Sequence, residues 1–371
     1  MRIGIIGHGI TIERENLDWA VEDTVFYTVQ KALQSASMSI EEIGTVIQAG
    51  DDVADGLAIQ HVQTVEAAGA FQKEESKVER DGAWAVHYAI ARLLSGKFKT
   101  ALVVGFSKGT QCGLSAFSGM CADPFYLRPV GGDANTIAAI QAGYYSARTG
   151  LGERDFAEVA VKNRRAGMKN PRVMQGEAGD YSVEDILNSP KIASPITELN
   201  TGRTGDGCVA LILATEDYIK ENKLEASYIT GMGLISDAYY PTYRDLSRIK
   251  SAEVAAQAAY KMAGIQAKDI QVAEVHECYA HQELMLYESL GFCEEGKSGD
   301  YVKSGKISVN PSGGVTCGNV IYASGLARLM EASLQVSGKA GEVQVKGVKR
   351  AIAHAQAGLA MQSNIVYVVE A

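Results

Sequence analysis

The sequence predicts an α/β protein built from two similar halves. Short runs of apolar, β-branched residues alternate with stretches whose apolar residues recur at helical spacing, which is typical of α/β layers. A strand, a sharp polar corner, a helix and a second strand occur in that order at 77–108 and again at 307–354. The opening run IGIIGHG also has a counterpart, YITGMG, at 228–233. Together these observations predict a repeated architecture.

The elements of the first half follow from hydrophobic periodicity. They are a strand at 2–9, a helix over 17–35, a strand over 43–49, a helix over 54–68, a short strand at Val78, a corner at 79–82, a helix over 83–95 and a strand over 100–105. The Gly7-His8-Gly9 run invites a dinucleotide-binding interpretation. A third glycine is missing and charged residues stand where the phosphate-binding helix should begin, so this interpretation is disfavoured.

The segment 109–199 separates the halves and is richer in Gly, Tyr, Arg and polar residues. We expect it to form a loop domain over a pocket, with a helix over 155–165 and another that begins after the cap residue Ser182. The N-terminal half would then comprise 1–108 and 200–225, and the C-terminal half 226–371.

The stretch 271–325 carries most of the polar residues expected at a site. A strand ends at His276, and Glu277, Cys278, Tyr279 and His281 lead into a helix. A second strand at 307–309 is followed by the turn NPSGG and by a helix that carries Leu326, Leu329 and Met330. Because strand ends commonly present functional side chains, we expect both strand-to-helix corners to face one pocket.

Composition excludes several classes of protein. A net charge of −9 over 371 residues argues against nucleic acid or an anionic membrane as the main partner. The sequence has neither an uninterrupted apolar stretch that could span a bilayer nor a signal-peptide pattern, and a cytoplasmic location is expected. Six scattered cysteines without a CxxC pair predict neither a zinc ribbon nor a disulfide framework. No metal or permanently bound cofactor is expected.

The runs HECYA, VNPSGG and GNVIYASGLARL resemble the HDCF, NPSGG and GHPxGATG signatures of the thiolase superfamily, in the branch named for its sterol-carrier-protein relatives. GIIGHGIT, ALVVGFSKG, VAVKNRRAG, the run 182–214 and the closing HAQAGLAMQSNIVYVV extend the resemblance over most of the chain. It implies a five-layered αβαβα thiolase fold with one central sheet per half. It also implies a coenzyme A thioester as the substrate, with 109–199 covering that substrate.

Two departures from the family pattern affect the expected chemistry. Aligning VERDGAWA with VENACASG places Gly82 at the nucleophilic cysteine, and a shift of one residue would place Asp81 or Ala83 there. At the second corner Asn319 replaces the histidine of GHPxGATG, and Tyr322 replaces a small residue. The chain therefore resembles the cysteine-free thiolase-like steroid side-chain aldolases, which are proposed to use tyrosines.

The histidines of the first and last signatures, His276 and His354, are retained. The resemblance implies that they help to hold a thioester oxygen or its enolate, with backbone N–H groups of Gly82 and Gly358 completing an oxyanion hole. Retro-aldol cleavage of a β-hydroxyacyl-CoA needs this hole and a base, for which the candidates are Tyr322, Tyr279, Asp81 and His354. A tyrosine would need a lowered pKa or a proton relay.

Each candidate also has a structural interpretation. His276 can be a hydrogen-bonded structural histidine, Tyr322 can fill the volume of the lost histidine, Tyr279 can be packing, and Asp81 can cap a helix. Lys162, Arg164 and Arg165 are candidates for contacts with coenzyme A, although they can equally form a solvated helix face.

Two alternative functions stay open. The chain can be a non-catalytic subunit that assembles with an active thiolase or with a small zinc-ribbon/OB-fold acyl-CoA-binding partner. It can also be a true thiolase or acyltransferase that uses a relocated nucleophile, Cys278 or Cys317. The resemblance also implies a homodimeric core.

Overall fold

The computed structural model describes residues 2–16, 18–56 and 58–371, and these residues form twelve strands and twelve helices. The strands are β1 (Ile3–Glu13), β2 (Thr45–Ala49), β3 (Glu74–Val78), β4 (Thr100–Lys108), β5 (Lys191–Ala193), β6 (Ile196–Thr197), β7 (Asp206–Thr215), β8 (Ser227–Ser236), β9 (Val272–Glu274), β10 (Ser308–Val309), β11 (Arg350–Ala357) and β12 (Ser363–Glu370). The helices are α1 (Val21–Ala36), α2 (Asp52–Asp55), α3 (Gly82–Leu94), α4 (Leu114–Met120), α5 (Ala134–Thr149), α6 (Glu153–Gly167), α7 (Val183–Asn188), α8 (Glu216–Asn222), α9 (Lys250–Ala263), α10 (Ala280–Ser289), α11 (Ser298–Ser304) and α12 (Ser324–Val336).

Ten of the strands form one sheet whose two halves share the same internal order. The first half runs β3-β2-β4-β7-β1 and the second runs β10-β9-β11-β12-β8. In each half the second strand along the chain pairs in parallel with the third and fourth, and the remaining pairs are antiparallel. The halves meet where Ile3–Ile5 of β1 pairs with Ser227–Ile229 of β8. The predicted duplication is confirmed.

Three apolar cores hold five layers together, and one of them extends over both sides of the central layer. The inner faces of both half-sheets pack on α3 and α12, which form the central layer. The outer face of the first half-sheet is covered by α1, and that of the second by α9, α10 and α6. This arrangement confirms the predicted αβαβα fold.

The glycine pairs of β1 and β8 bring these outer helices close to the sheet. A Cβ atom added at Gly9 would lie 2.2 Å from the carbonyl oxygen of Thr28 on α1. A Cβ atom added at Gly233 would lie 2.1 Å from that of Ala255 on α9. The glycines of the opening motif therefore serve helix-to-sheet packing, and the equivalent packing explains why the second half repeats them.

The helix expected at 17–35 begins only at Val21. Ala20 is extended, and its N–H donates to the Asp23 carboxylate at 3.1 Å, which fixes the first turn of α1. The earlier part of the prediction includes Leu17, which lies outside the described residues.

The single helix predicted over 54–68 is wrong. The chain instead forms α2, capped by the Asp51 carboxylate, and then a 3₁₀ turn over Gln60–Thr64. Gly56, at a φ of 70°, ends α2 in the left-handed conformation that glycine adopts without strain. Leu57, within the predicted span, lies outside the described residues.

The 109–199 segment contains α4 to α7 and the β5–β6 hairpin. Its helix α7 begins as predicted, because the Ser182 hydroxyl accepts the Asp185 N–H at 3.1 Å. The segment supplies cleft-lining residues, among them Phe117, Asn135 and Tyr181. The division of the chain into three domains at these boundaries stays a prediction.

Candidate active site

The corner at 79–82, before α3, is called the first corner, and the corner at 310–323, before α12, the second corner. A cleft of about 760 Å³ lies between them, a size ordinary for a small-molecule site. Its walls come from residues that follow β1, β2, β3, β9 and β11, and from the 109–199 segment. The predicted site residues that line it are Asp81, Arg164, His276, Tyr279, Asn319, Tyr322 and Gly358. The predicted residues outside its lining are Gly82, Lys162, Arg165 and His354.

Gly82, at the start of α3, has no room for a side chain. A Cβ atom there would lie 2.8 Å from Leu326 Cδ2 on α12. The Gly82 N–H donates to the carbonyl oxygen of Tyr322 at 2.8 Å. The position assigned to a nucleophile by alignment thus faces the neighbouring helix, and its N–H is already hydrogen-bonded within the fold.

Asp81 ties the starts of the two central helices together. One carboxylate oxygen accepts the Ala83 N–H at 2.8 Å and caps α3, while the other accepts the Gly325 N–H of α12, also at 2.8 Å. Burial raises the pKa of Asp81 to about 7, against the opposing effect of these N–H groups. Asp81 therefore acts as a cap for α3 and also borders the cleft.

His354 holds the backbone at the end of β9. The Asn364 amide nitrogen donates to Ser251 and Met361, so the Asn364 oxygen accepts a bond from His354 Nε2 at 2.8 Å. The proton therefore resides on His354 Nε2, which leaves Nδ1 to accept the His276 N–H at 3.4 Å. Both ring nitrogens of His354 are occupied.

His276 presents a neutral imidazole to the cleft. Burial, with smaller contributions from His354 and Arg328, lowers the pKa of His276 to about 3. Its Nε2 lies 3.5 Å from the sulfur of Cys278, which lines the same wall. A neutral ring with a donor N–H can polarise a carbonyl oxygen without transferring a charge first.

The Asn319 amide is engaged in holding its own loop. Its nitrogen donates to the Gly202 carbonyl at 3.0 Å, and its oxygen accepts the Ser324 hydroxyl at 3.1 Å. The Asn319 carbonyl also accepts the Gly205 N–H at 2.8 Å. Asn319 therefore fastens the second corner to the chain entering β7.

Tyr322 places its hydroxyl beside carboxylates. Burial raises the pKa of Tyr322 above its ordinary value of 10, and the neighbouring Asp51 and Asp55 raise it further. Asp51 also lines the cleft and caps α2 by accepting the Val53 and Ala54 N–H groups. Tyr322 is thus a protonated phenol with a proton acceptor next to it. Asp51 was not among the predicted site residues, although its position two residues after a predicted strand was a usable signal.

Tyr279 is held in place through its hydroxyl, which donates to the Asn135 side-chain oxygen at 2.8 Å. Burial raises its pKa above the ordinary value. The contact joins the second half of the chain to helix α5. Tyr279 therefore forms part of the cleft wall with its hydroxyl already engaged.

Neither candidate cysteine is activated as a nucleophile. Cys278 accepts a bond from the Gln356 amide at 3.2 Å, and burial raises its pKa to about 12. Cys317 is fully buried outside the cleft lining, its thiol points to the Asn163 carbonyl at 3.5 Å, and burial raises its pKa to about 12 as well. The thiolate is the reactive form, so both environments oppose attack.

A buried carboxylate network lies beneath the second corner. Glu277 accepts the side-chain amides of Asn310 at 2.8 Å and Asn163 at 3.1 Å, and it accepts the Thr316 N–H and hydroxyl. Glu283 accepts the same two amides. Burial and the nearby Glu283 raise the pKa of Glu277 to about 7. Glu277 was not a predicted site residue, yet it stands between His276 and Cys278, which line the cleft, and its own side chain enters this buried network.

The three residues proposed for coenzyme A binding have partners within the fold. Lys162 pairs with Glu283 at 2.8 Å, and the buried Arg164 donates to the carbonyls of Leu199, Glu177 and Thr201. The exposed Arg165 pairs with Asp180 outside the cleft. The geometry therefore does not bring these residues together as a phosphate site.

Within the described residues, no cluster of three or more His, Cys, Asp or Glu side chains could hold a metal ion. No helix in the same ranges is long and apolar enough to cross a membrane.

Comparison with known proteins places this chain in a family. The family model described as "Thiolase C-terminal domain-like" matches residues 235–370. Sterol carrier protein 2 of Gallus gallus is 34% identical over 212 residues, which cover 54% of this chain but only 38% of that protein. The solved structure of an Ltp2-ChsH2(DUF35) aldolase has a TM-score of 0.81 at 20% identity and covers 100% of this chain and 98% of that one, which shows likeness of fold.

A further relative matches at nearly full length. The acetyl-CoA acetyltransferase of Methanocaldococcus jannaschii is 30% identical over 348 residues, which cover 89% of this chain and 88% of that protein. With the fold and the signature corners described above, the chain belongs to the thiolase superfamily, among its members that resemble sterol carrier protein 2.

Proposed function

We propose that the chain catalyses retro-aldol cleavage of a β-hydroxyacyl-CoA, or the reverse condensation, without a covalent enzyme intermediate. The proposal rests on the absence of an available nucleophile at the first corner. Gly82 is closed off by Leu326, and the Asp81 carboxylate is held by two backbone N–H groups. A Claisen reaction requires an acyl-accepting nucleophile, whereas an aldol cleavage requires only a base and a site for the enolate.

Tyr322 acts as the base through a proton relay to Asp51. The β-hydroxyl of the substrate gives its proton to the Tyr322 oxygen as the phenolic proton passes to Asp51. The oxygen electrons then form the carbonyl, the Cα–Cβ bond breaks, and its electron pair moves into the thioester as an enolate. Protonation at Cα gives the shortened acyl-CoA. A relay is needed because the raised pKa of Tyr322 leaves no phenolate to act directly.

The enolate oxygen is held by the neutral His276 ring and by backbone N–H groups near Gly358, which border the same cleft. His354 and Asn319 act indirectly, since the first fixes the His276 backbone and the second fixes the loop that carries Tyr322. Apolar side chains of the cleft, including Leu114, Phe117 and Leu359, provide a surface for the acyl group.

A second candidate function is acyl transfer by Cys278. Its sulfur lines the cleft 3.5 Å from His276 Nε2, and the relative from Methanocaldococcus jannaschii is named an acetyltransferase. Against it stands the burial that raises the Cys278 pKa to about 12. We therefore rank it second.

We also propose that the chain assembles with itself and with a second component. Strand β3 lies at one edge of the ten-stranded sheet, which leaves one side of it available for a second copy. The aldolase with the similar fold is named for two components, Ltp2 and ChsH2(DUF35). This supports a small acyl-CoA-binding partner of the zinc-ribbon/OB-fold type, or a second thiolase-like subunit.

The test is a product assay on β-hydroxyacyl-CoAs, with and without a co-expressed partner, combined with intact-protein mass spectrometry. We expect a carbonyl product and a shortened acyl-CoA in equal amounts, no free coenzyme A and no acyl adduct. An adduct on Cys278 or Cys317 would replace the proposal by acyl transfer. Binding of acyl-CoA without any product, in every assembly tested, would replace it by a binding subunit.

A further inference from the structure

The lining of the cleft is uneven in charge, with three carboxylates and Arg80 at one end and two further arginines at the other. Asp51, Glu79 and Asp81 follow β2 and β3, while Arg14 follows β1 and Arg203 precedes β7. In the first half-sheet β1 and β3 occupy opposite ends. The carboxylates therefore lie at the end near Tyr322, and the two arginines lie at the other end.

Arg14 and Arg203 are brought to one rim by the pairing of their strands. The β1–β7 ladder reaches Glu13 opposite Asp206, so Arg14 continues the register beside Gly205. Gly205 makes this approach possible, since a Cβ atom there would lie 2.4 Å from the Glu13 carbonyl oxygen. Arg203 stands two residues before Gly205 on the same edge.

The same rim adjoins the centre of the site. Thr204, directly after Arg203, pairs with Asn319, and Gly202, directly before it, accepts the Asn319 amide at 3.0 Å. On the facing side, a Cβ atom at Gly176 would lie 3.9 Å from Arg14 Nη1. The two arginines therefore lie on a rim that adjoins the loop of the second corner.

Both guanidinium groups are available to a ligand. Both residues are exposed, and neither side chain makes an ion pair or hydrogen bond with any residue in the described ranges. The neighbouring Glu177 pairs with Arg164 at 3.3 Å. Glu198 also lines the cleft but lies beyond 4.0 Å of either guanidinium. An arginine with free donors at a cleft rim is suited to a phosphate or carboxylate.

We propose that Arg14 and Arg203 form an anion-binding rim that holds a negatively charged group of the acyl-CoA substrate. The group is a phosphate of coenzyme A or a second carboxylate on the acyl chain, which share the same chemistry. This inference rests on the proposed function in requiring an acyl-CoA in the cleft. It adds an orientation, with the anionic group at the β1–β7 end and the reacting hydroxyl at the acidic end.

Isothermal titration of the full chain with acetyl-CoA, acetyl-pantetheine, butyryl-CoA and succinyl-CoA tests the rim. Arg14→Gln and Arg203→Gln are each expected to raise a Kd about tenfold, and the double variant more, with a shallower dependence on salt. The control is Arg165→Gln, an exposed arginine outside the cleft, which should bind like the wild type. Melting curves check that each variant is folded.

The probes separate the two sources of charge. If the arginine variants lose affinity for acetyl-CoA but not for acetyl-pantetheine, the rim binds the phosphates of coenzyme A. If the variants lose affinity for succinyl-CoA alone and bind butyryl-CoA as the wild type does, the rim binds a carboxylate of the acyl chain. Wild-type affinity in the double variant for all four probes would overturn the rim and leave the proposed function standing. Arginine-dependent binding without carbonyl release would overturn the proposed reaction and leave the rim standing. If the wild type binds no probe, both fail.

Discussion

The two strand-to-helix corners occupy equivalent places in the two halves but differ in what they offer a ligand. At the first corner the Gly82 N–H is bonded to Tyr322, and the Asp81 carboxylate caps α3 and reaches Gly325 of α12. At the second corner Asn319 is likewise engaged, whereas Tyr322 faces the cleft beside Asp51. One corner has become a clamp between the central helices, and the other retains a reactive group. Duplicated geometry therefore does not require duplicated chemistry.

The largest effect is expected from removing the reactive group of the second corner. Tyr322→Phe should lower kcat for β-hydroxyacyl-CoA cleavage by about 10²–10⁴-fold, because the proton relay loses its first member. Acyl-CoA affinity should stay within a few-fold of the wild type. Tyr279→Phe is the control, since the Tyr279 hydroxyl donates to Asn135. This variant should lower kcat by less than about tenfold. Full activity in Tyr322→Phe would remove this residue from the mechanism.

A second test asks whether the first corner can be reopened. Gly82→Cys should lower the free energy of unfolding by about 1–3 kcal/mol and gain no acyl adduct, because its Cβ would press on Leu326. Denaturant titration and intact mass after acetyl-CoA treatment measure both effects.

Gly143→Cys is the matched control for this test, since a Cβ at Gly143 meets no atom within 4 Å. Its stability should stay close to that of the wild type. A stable Gly82→Cys protein that becomes acylated would show that the corner is open.

A third test measures the clamp itself. Asp81→Ala removes two hydrogen bonds to helix starts and should cost about 2 kcal/mol of unfolding free energy. Ser182→Ala removes a single backbone cap at α7 and should cost about 1 kcal/mol. Equal losses of unfolding free energy in the two variants would contradict the double role of Asp81.

A fourth test concerns acid stability at the second half. The pKa values of His276 and His354 are lowered to about 3 and 4, below the ordinary 6.5. As the pH falls from 6.5 towards 4, the unfolded chain binds protons at these positions and the folded chain does not. Their stabilising contribution is thus complete above pH 6.5 and is lost below it, by up to about 1.4 kcal/mol per pH unit for each ring.

His276→Gln removes one of the two histidines whose protonation differs between the folded and the unfolded chain. Urea titrations across this pH range should show a shallower loss of stability than in the wild type. An unchanged slope would mean that His276 is protonated in the folded chain.

Much of the fold was visible in the sequence because it is periodic. The repeated strand, corner and helix and the GHG and GMG glycines predicted the two halves, and the strand order confirms them. The helix expected over 54–68 failed because Gly56 stops α2 after one turn. The apolar pattern of that stretch favours a helix, but its glycine is a stop signal that outweighs the pattern.

The site was less predictable, because the availability of a side chain depends on partners distant in sequence. Lys162, Arg164 and Arg165 form one basic run, but the turn of α6 sends them to Glu283, to buried carbonyls and to solvent. Arg14 and Arg203 are each a single cation in their own stretch, and nothing in the sequence links them. Only the pairing of β1 with β7 brings them to one rim. In the same way, Leu326 closes Gly82 from the other half of the chain.

The central layer also has a consequence for synthesis on the ribosome. Helix α3 lies against α12 and against the inner strands of the second half, so its apolar face has no complete partner until those segments exist. About 230 residues separate the end of α3 from the start of α12, which at about 5–20 residues per second is a delay of roughly 10–50 seconds. The core against α1 can close from the first half alone, whereas the core around α3 stays open during that interval.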